Sequence, residues 1–129
     1  MMKVLKSAVS NGFPKEYSFD TVFEGYPIRY PLRKVRNCHL WAKVYREKEE
    51  ILVDMRGEAT FEAEDTSDAS LFLYPLSFDE KGIAIMEKED GESDGFIFEG
   101  NSFDLEELAL DLFECHIPIR LLKNVGKPL

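Results

Sequence analysis

The chain has 129 residues, of which 44% are hydrophobic and 32% charged, and its formal net charge is −9. That length and apolar share fit one ordinary domain spanning residues 1–129, able to bury a sizeable core, and no apolar run approaches the ~20 residues that a membrane span needs. The opening MMKVLKSAVSNGF has too short an apolar stretch for a signal peptide, so a cytoplasmic protein with no membrane attachment is expected.

Residues 1–14 are ambiguous between strand and short helix, with Val4, Leu5 and Val9 before an Asn11-Gly12 turn, and read as an anchoring segment. From Lys15 the period becomes two: Tyr17, Phe19 and Phe23 share one side and Glu16, Asp20 and Glu24 the other, which predicts a strand. Two prolines, Pro27 and Pro31, mark an edge or a connection. Val35 to Tyr45 predicts a strand with Cys38, Leu40, Ala42 and Val44 on one face and Asn37, His39, Trp41, Lys43 and Tyr45 on the other. A charged turn at 46–49 returns the chain through Ile51, Val53, Met55, Ala59, Phe61 and Ala63, with a bulge or bend expected at Gly57. An acidic polar loop at 64–70 precedes Leu71 to Phe78, which is apolar enough for a strand buried on both faces or half-buried with broad aromatic contact. Residues 79–82 are expected to turn the chain into a short strand at 83–86, and KEDGESDG at 88–95 is too polar to pack.

The most strongly marked element comes last. Phe96 opens a short strand, and Asp104 followed by Glu107 reads as a capping box, in which each side chain satisfies a backbone N–H of the first helical turn. Phe103 and Leu108 are spaced for a hydrophobic staple, and Leu105, Leu108, Ala109 and Leu112 form an apolar stripe on a helix from Asp104 to Glu114. Pro118 ends it, and Ile117, Ile119 and Leu121 alternate afterwards. The expected fold class is α+β, a mainly antiparallel β-sheet curled towards a barrel or sandwich with one C-terminal amphipathic helix packed on it. Strand order and oligomeric state are not readable from the pattern.

The charge divides unevenly. Residues 1–56 carry a net +4, residues 57–114 a net −16 and the tail +3. Arg29, Arg33, Lys34, Arg36, Lys43, Arg46 and Lys48, interleaved with Tyr26, Tyr30, Trp41 and Tyr45, form a candidate nucleic-acid face, because arginine pairs with phosphate and exposed rings stack on unpaired bases. Edge protection and packed aromatics are the plainer account of the same residues. Glu89, Asp90, Glu92 and Asp94 are the candidate surface for a basic partner. They lack the spacing of a calcium loop, and no zinc, P-loop, dinucleotide or nucleophile-elbow pattern is present, so no metal or cofactor is expected. Cys38 and Cys115 read as buried free thiols, and His39 and His116 read as structural because neither has a nucleophile or ligand beside it in sequence. No catalytic residue is assigned.

Phe98-Glu99-Gly100-Asn101-Ser102-Phe103-Asp104-Leu105-Glu106-Glu107-Leu108, with the apolar helix and Ile117-Pro118-Ile119 beyond it, resembles the C-terminal signature of the YceD family. The N-terminal Leu5-Lys6, Asn11-Gly12 before Tyr17-Ser18-Phe19, and two long strands ending at Gly57-Glu58-Ala59-Thr60 follow the same order. Where that family carries a C-x-x-C, this chain has Phe61 to Thr66 without cysteine. The resemblance implies a non-enzymatic factor for large-subunit ribosomal RNA accumulation or processing. Its basic face would meet the RNA precursor, and its acidic loop and helix would meet a ribosomal protein or processing factor. The alternative is a protein-only interaction module whose acidic surface takes a basic partner.

Overall fold

A computed structural model describes residues 2–9, 12–87, 96–98 and 102–129. Seven strands, β1 (Lys3–Leu5), β2 (Lys15–Asp20), β3 (Leu32–Glu47), β4 (Glu50–Glu64), β5 (Leu71–Glu87), β6 (Phe96–Phe98) and β7 (Ser102–Asp104), precede one helix, α1 (Leu105–Cys115). The main sheet has the order β2-β3-β4-β5-β6, and β1 pairs with β7 in a second ladder of two. Every pair is antiparallel except β5 with β6. The fold is thus α+β and mainly antiparallel, as the pattern implied. The sheet is open, with β2 and β6 as its edges and no closure into a barrel among the described residues.

Alternation decides which face of the long hairpin is buried. Cys38, Leu40, Ala42 and Val44 from β3 and Ile51, Val53, Met55, Ala59, Phe61 and Ala63 from β4 all join one core, and the residues between them face outward. The predicted faces of β3 therefore hold, and the hairpin turns at Lys48 and Glu49. Phe23, placed on β2 by its spacing, instead follows that strand in a left-handed conformation (φ 56°) and is buried.

Gly57 is not a bulge. The ladders run through it in register, Leu40 opposite it on β3 and Phe78 on β5. A Cβ at this position would stand 2.6 Å from the Phe78 ring and 2.8 Å from that of Phe113. The glycine leaves room for aromatic rings. Phe113 from α1 meets Phe61, Phe78 and Phe23 edge-on, with centroids 5.4, 4.7 and 6.4 Å away. The irregularity falls instead where a turn was expected at 79–82. β5 continues through it with a register shift opposite Val53 and Met55, and Gly82 takes φ +67° while its N–H donates to Asp54 at 2.8 Å. A bulge absorbs the one extra residue and keeps one long strand where two were expected. Pro75 is tolerated because β6 covers only Ile85–Glu87, so among the described residues no strand of the sheet meets its missing N–H.

α1 forms where predicted. Asp104 Oδ1 accepts from Glu106 N at 2.9 Å as the N-cap, and Phe103 and Leu108 are both buried. Glu107 stays exposed and Glu106 is the buried acid, accepting from Thr21 Oγ1 at 2.7 Å. Asp104 is also the last residue of β7, opposite Lys3, and accepts from the Tyr26 hydroxyl. Burial, and then this bond to Asp104, raises the Tyr26 hydroxyl far above its ordinary range. The stripe is wider than expected, with Leu110 and Phe113 buried too.

The loop at 65–70 is no loose acidic segment. Asp65 is buried and accepts from Ser67 N (2.7 Å), Ser67 Oγ (2.5 Å), Asp68 N (3.2 Å) and Lys123 N (2.8 Å). Asp68 accepts from Ser70 N and Oγ and from Lys123 Nζ at 2.8 Å. The tail is thereby fastened. Leu121 is fully buried and Lys127 bridges to Leu73, whereas Ile119 is fully exposed, so no strand follows α1. Asn11 and residues 88–95 lie outside the described residues.

Two outcomes follow from this packing. Gly57→Ala is expected to lower the unfolding free energy by about 1–3 kcal/mol in denaturant titration, since backbone or rings must shift. Bonded N–H and O–H donors hold the carboxyl of Asp65 below its usual 3.8, as they hold Asp68 at about 2. Both aspartates therefore contribute fully above about pH 4, and their contribution fades as pH falls towards 2. Asp65→Asn should lower the melting temperature at pH 7, by a margin that shrinks over that interval.

Candidate interaction surfaces

The candidate basic face does not assemble into one patch. Arg33 and Arg46 are 13 residues apart on one strand, roughly 40 Å at ~3.3 Å per residue. The arginines are also occupied by carboxylates. Arg29 Nε lies 3.4 Å from Glu114 Oε2, Arg33 Nη1 lies 3.1 Å from Glu64 Oε2, and Arg36 Nε lies 3.2 Å from Glu62 Oε2. The β3–β4 register explains the last two, because it sets the start of β3 against Glu62 and Ala63. Arg46 Nε donates to Val9 O at 3.0 Å, joining the hairpin to the N-terminal segment. Lys34 and Lys43 are exposed, and the Lys43 ammonium lies over the Tyr45 ring at 5.6 Å.

The aromatics are engaged as well. Tyr45 donates to Asp54 at 3.1 Å, and burial followed by this bond raises its hydroxyl. Tyr30 is exposed. Trp41 sits on the outer face between two strands' worth of neighbours: the Arg56 guanidinium over its ring at 4.0 Å and the His39 ring edge-on at 4.3 Å. His39 bonds Asp20 through Nδ1 (2.6 Å) and Ser18 through Nε2 (2.7 Å). Sequence spacing could not bring these three together, because the contact crosses from β2 to β3. The register Asp20↔His39 and Ser18↔Trp41 creates it.

A second surface lies beside the exit of α1. Arg29, Tyr30 and Pro31 face Asp111, Glu114, Cys115, Ile117 and Ile119 across a groove of about 640 Å³. Glu107, Asp111 and Glu114 are spaced along one edge of the helix. Their carboxyls are all pushed above the ordinary range, in each case chiefly by burial. Asp104 and Asp111 add repulsion at Glu107, and Asp111 adds it at Glu114. Arg29 offsets the rise at Asp111 and Glu114, and Lys3 offsets it at Glu107. The helix was expected to share a partner surface with the acidic loop, but these three residues were not singled out. Glu89, Asp90, Glu92 and Asp94, which were, lie outside the described residues.

Cys115 is exposed in this groove, against expectation, because the helix turns its last residue away from the core. Cys38 is buried as expected, and desolvation pushes its thiol up to about 12. His116 caps α1 through its N–H to Phe113 O at 3.1 Å, stacks on Phe78 and approaches Glu80 at 3.3 Å, a structural set of contacts. Among the described residues no group of three His, Cys, Asp or Glu is placed to hold a metal ion, and no helix is long and apolar enough to cross a membrane.

No family model, curated protein or solved structure matches this chain.

If Glu62 and Glu64 neutralise Arg36 and Arg33, the double variant Glu62→Gln/Glu64→Gln should bind heparin or a non-specific RNA more tightly than the unmodified chain. The gain should be steeply salt-dependent, as phosphate contacts are. Equal binding by both proteins in a low-salt titration would contradict the pairing.

Proposed function

We propose that the chain is a protein-interaction module that receives a basic partner on the acidic edge of α1 and in the groove beside it. The observation that carries this reading is the contrast in compensation. The β3 arginines Arg33 and Arg36 already hold carboxylates, whereas burial at Glu107, Asp111 and Glu114, with like-charge repulsion at Glu107 and Glu114, outweighs the nearby cations even though Arg29 lies 3.4 Å from Glu114. A lysine- or arginine-rich segment supplies the charge this edge lacks. Tyr30 and Ile119, both exposed, give it an apolar rim to rest on. The resemblance to the YceD family supports a cytoplasmic role in large-subunit ribosomal RNA accumulation, with a basic ribosomal protein or processing factor as the partner. A second reading, direct contact with the RNA precursor through β3, is favoured by the exposed Lys34 and Lys43.

Tagged chain recovered from its own cells, with half of each sample treated with RNase, separates the two. The module reading expects one basic protein with or without RNase, lost in Asp111→Asn/Glu114→Gln. Recovery of large-subunit RNA precursors that disappear with RNase and moderate salt, unchanged in that variant, would overturn it in favour of the second reading.

The same carboxyls make a stability prediction. A carboxyl raised on folding stabilises the fold when protonated, fully below its unfolded value, and that gain is lost as pH rises through the folded value. At pH 7 the ionised forms of Asp111 and Glu114 therefore oppose folding. Asp111→Asn should raise the melting temperature at pH 7 while weakening partner capture, and its advantage should vanish in acid.

A further inference from the structure

We propose that Ser18 is an activated nucleophile, acylated by aryl esters, with His39 as its general base. A serine hydroxyl becomes reactive when an adjacent base takes its proton, and His39 Nε2 lies 2.7 Å from Ser18 Oγ. The other ring nitrogen lies 2.6 Å from Asp20 Oδ1. With Nδ1–H donating to Asp20, Nε2 is the acceptor that the Ser18 hydroxyl needs, so one bond fixes the tautomer for the other. Sheet geometry builds the set. Ser18 and Asp20 are two apart on β2 and therefore share a face, and the antiparallel register places His39 beside both. The Trp41 ring packs edge-on against the imidazole, with centroids 4.3 Å apart and ring planes at 60°.

The backbone adds a donor. Thr21 N donates to Cys38 O at 3.1 Å, and bonded pairs alternate along an antiparallel ladder. Phe19 and Tyr17 therefore bond to β3, while the N–H groups of Ser18 and Asp20 point to the outer edge. No strand among the described residues pairs with that edge. The Ser18 N–H is thus available beside its own Oγ for the negative charge that develops on an attacked carbonyl oxygen. A hollow of about 490 Å³ opens at Ser18, walled by Trp41, by three cations (Lys43, Arg56 and Lys81) and by three carboxylates (Glu16, Asp54 and Asp79). With Arg56 over its ring, the indole presents its edge to an aryl leaving group, and Lys43 stands nearby for the developing negative oxygen.

In the acylation step Ser18 Oγ bonds to the ester carbonyl carbon and its proton passes to His39 Nε2. The bond from that carbon to the phenol oxygen breaks, and the phenol leaves with the proton. Water, deprotonated by the same nitrogen, then attacks the acyl-serine, releases the carboxylic acid and restores Ser18. Asp20 is a positioning residue. Its side chain is 87% exposed, so water screens its charge and its contribution is chiefly to orient the ring. This site is on the outer face of the sheet, opposite the face that α1 covers, and does not depend on the binding role of the groove.

The test treats the full chain with p-nitrophenyl acetate and, separately, with a fluorophosphonate probe that traps activated serines. The expected result is p-nitrophenol release and probe attachment at Ser18 by peptide mass. Both should be lost in Ser18→Ala and slowed about 10²-fold in His39→Gln, the scale of a general base. Asp20→Asn should slow labelling less. The charged groups facing the imidazole are Asp20 from β2 and Glu58 and Arg56 from β4. Asp20→Glu, which keeps an acceptor for the Nδ1 proton, should label faster than Asp20→Ala, a rescue that a purely structural role would not produce. Unchanged melting temperatures establish that the variants are folded. No probe on Ser18 in the unmodified chain, or ester cleavage equal in Ser18→Ala, would overturn the assignment.

Discussion

The structure depends on one packing event: the ring of Phe113 entering the sheet above Gly57. Three aromatic rings, Phe23, Phe61 and Phe78, surround it from the loop after β2, from β4 and from β5. Any side chain at 57 would occupy the space the rings need. A close-packed core has no slack for such an intrusion. Because the helix is short, this contact fixes both its position across β4 and β5 and its rotation about its own axis. Glu107, Asp111 and Glu114 then fall on the side away from the sheet. The acidic edge follows from how the apolar face is seated.

The other end of the helix is held by polar groups. Asp104 caps the first turn, takes the Tyr26 hydroxyl and belongs to the β1–β7 ladder, and Glu106 takes Thr21 Oγ1. Buried carboxylates are costly unless hydrogen bonds satisfy them, and here both draw the loop after β2 inward, through Tyr26 and Thr21, while the backbone of Asp104 pairs with the N-terminal strand. Asp65 does the same for the C-terminal tail. Two short loops and both ends of the chain are thus fastened by three buried acids whose partners are mostly neutral donors.

The sequence made the β3–β4 hairpin and the capped helix legible because both depend on local rules: period-two burial and an Asp at the N-cap. It could not show that 79–82 is a bulge, since the same polar residues and glycine serve a turn or a bulge until a partner strand fixes the register. Asp65 read as part of a polar loop because its donors include Lys123, far along the chain. Cys115 was expected inside because its neighbours are apolar, and only the rotation set by Phe113 exposes it. The same limit hid Ser18, His39 and Asp20, which are brought together by a register that no local pattern encodes. The basic stretch was visible, but not the pairing of Arg33 and Arg36 with Glu64 and Glu62.

The charge of this chain is therefore better understood as two surfaces with different degrees of compensation than as a basic half and an acidic half. The sheet side is interleaved with ion pairs, whereas the helix edge keeps an excess of carboxylate beside exposed Tyr30 and Ile119. Cys115 provides a direct probe of that edge, since Cys38 is buried and its thiol is raised to about 12. The decisive measurement attaches an environment-sensitive fluorophore to Cys115 and titrates the chain with an arginine-rich peptide carrying leucines. A saturable response that is abolished by Asp111→Asn/Glu114→Gln and unaffected by Arg33→Ala/Arg36→Ala is the predicted result. No response, or one that survives loss of both carboxylates, would contradict the claim that the helix edge is the working surface.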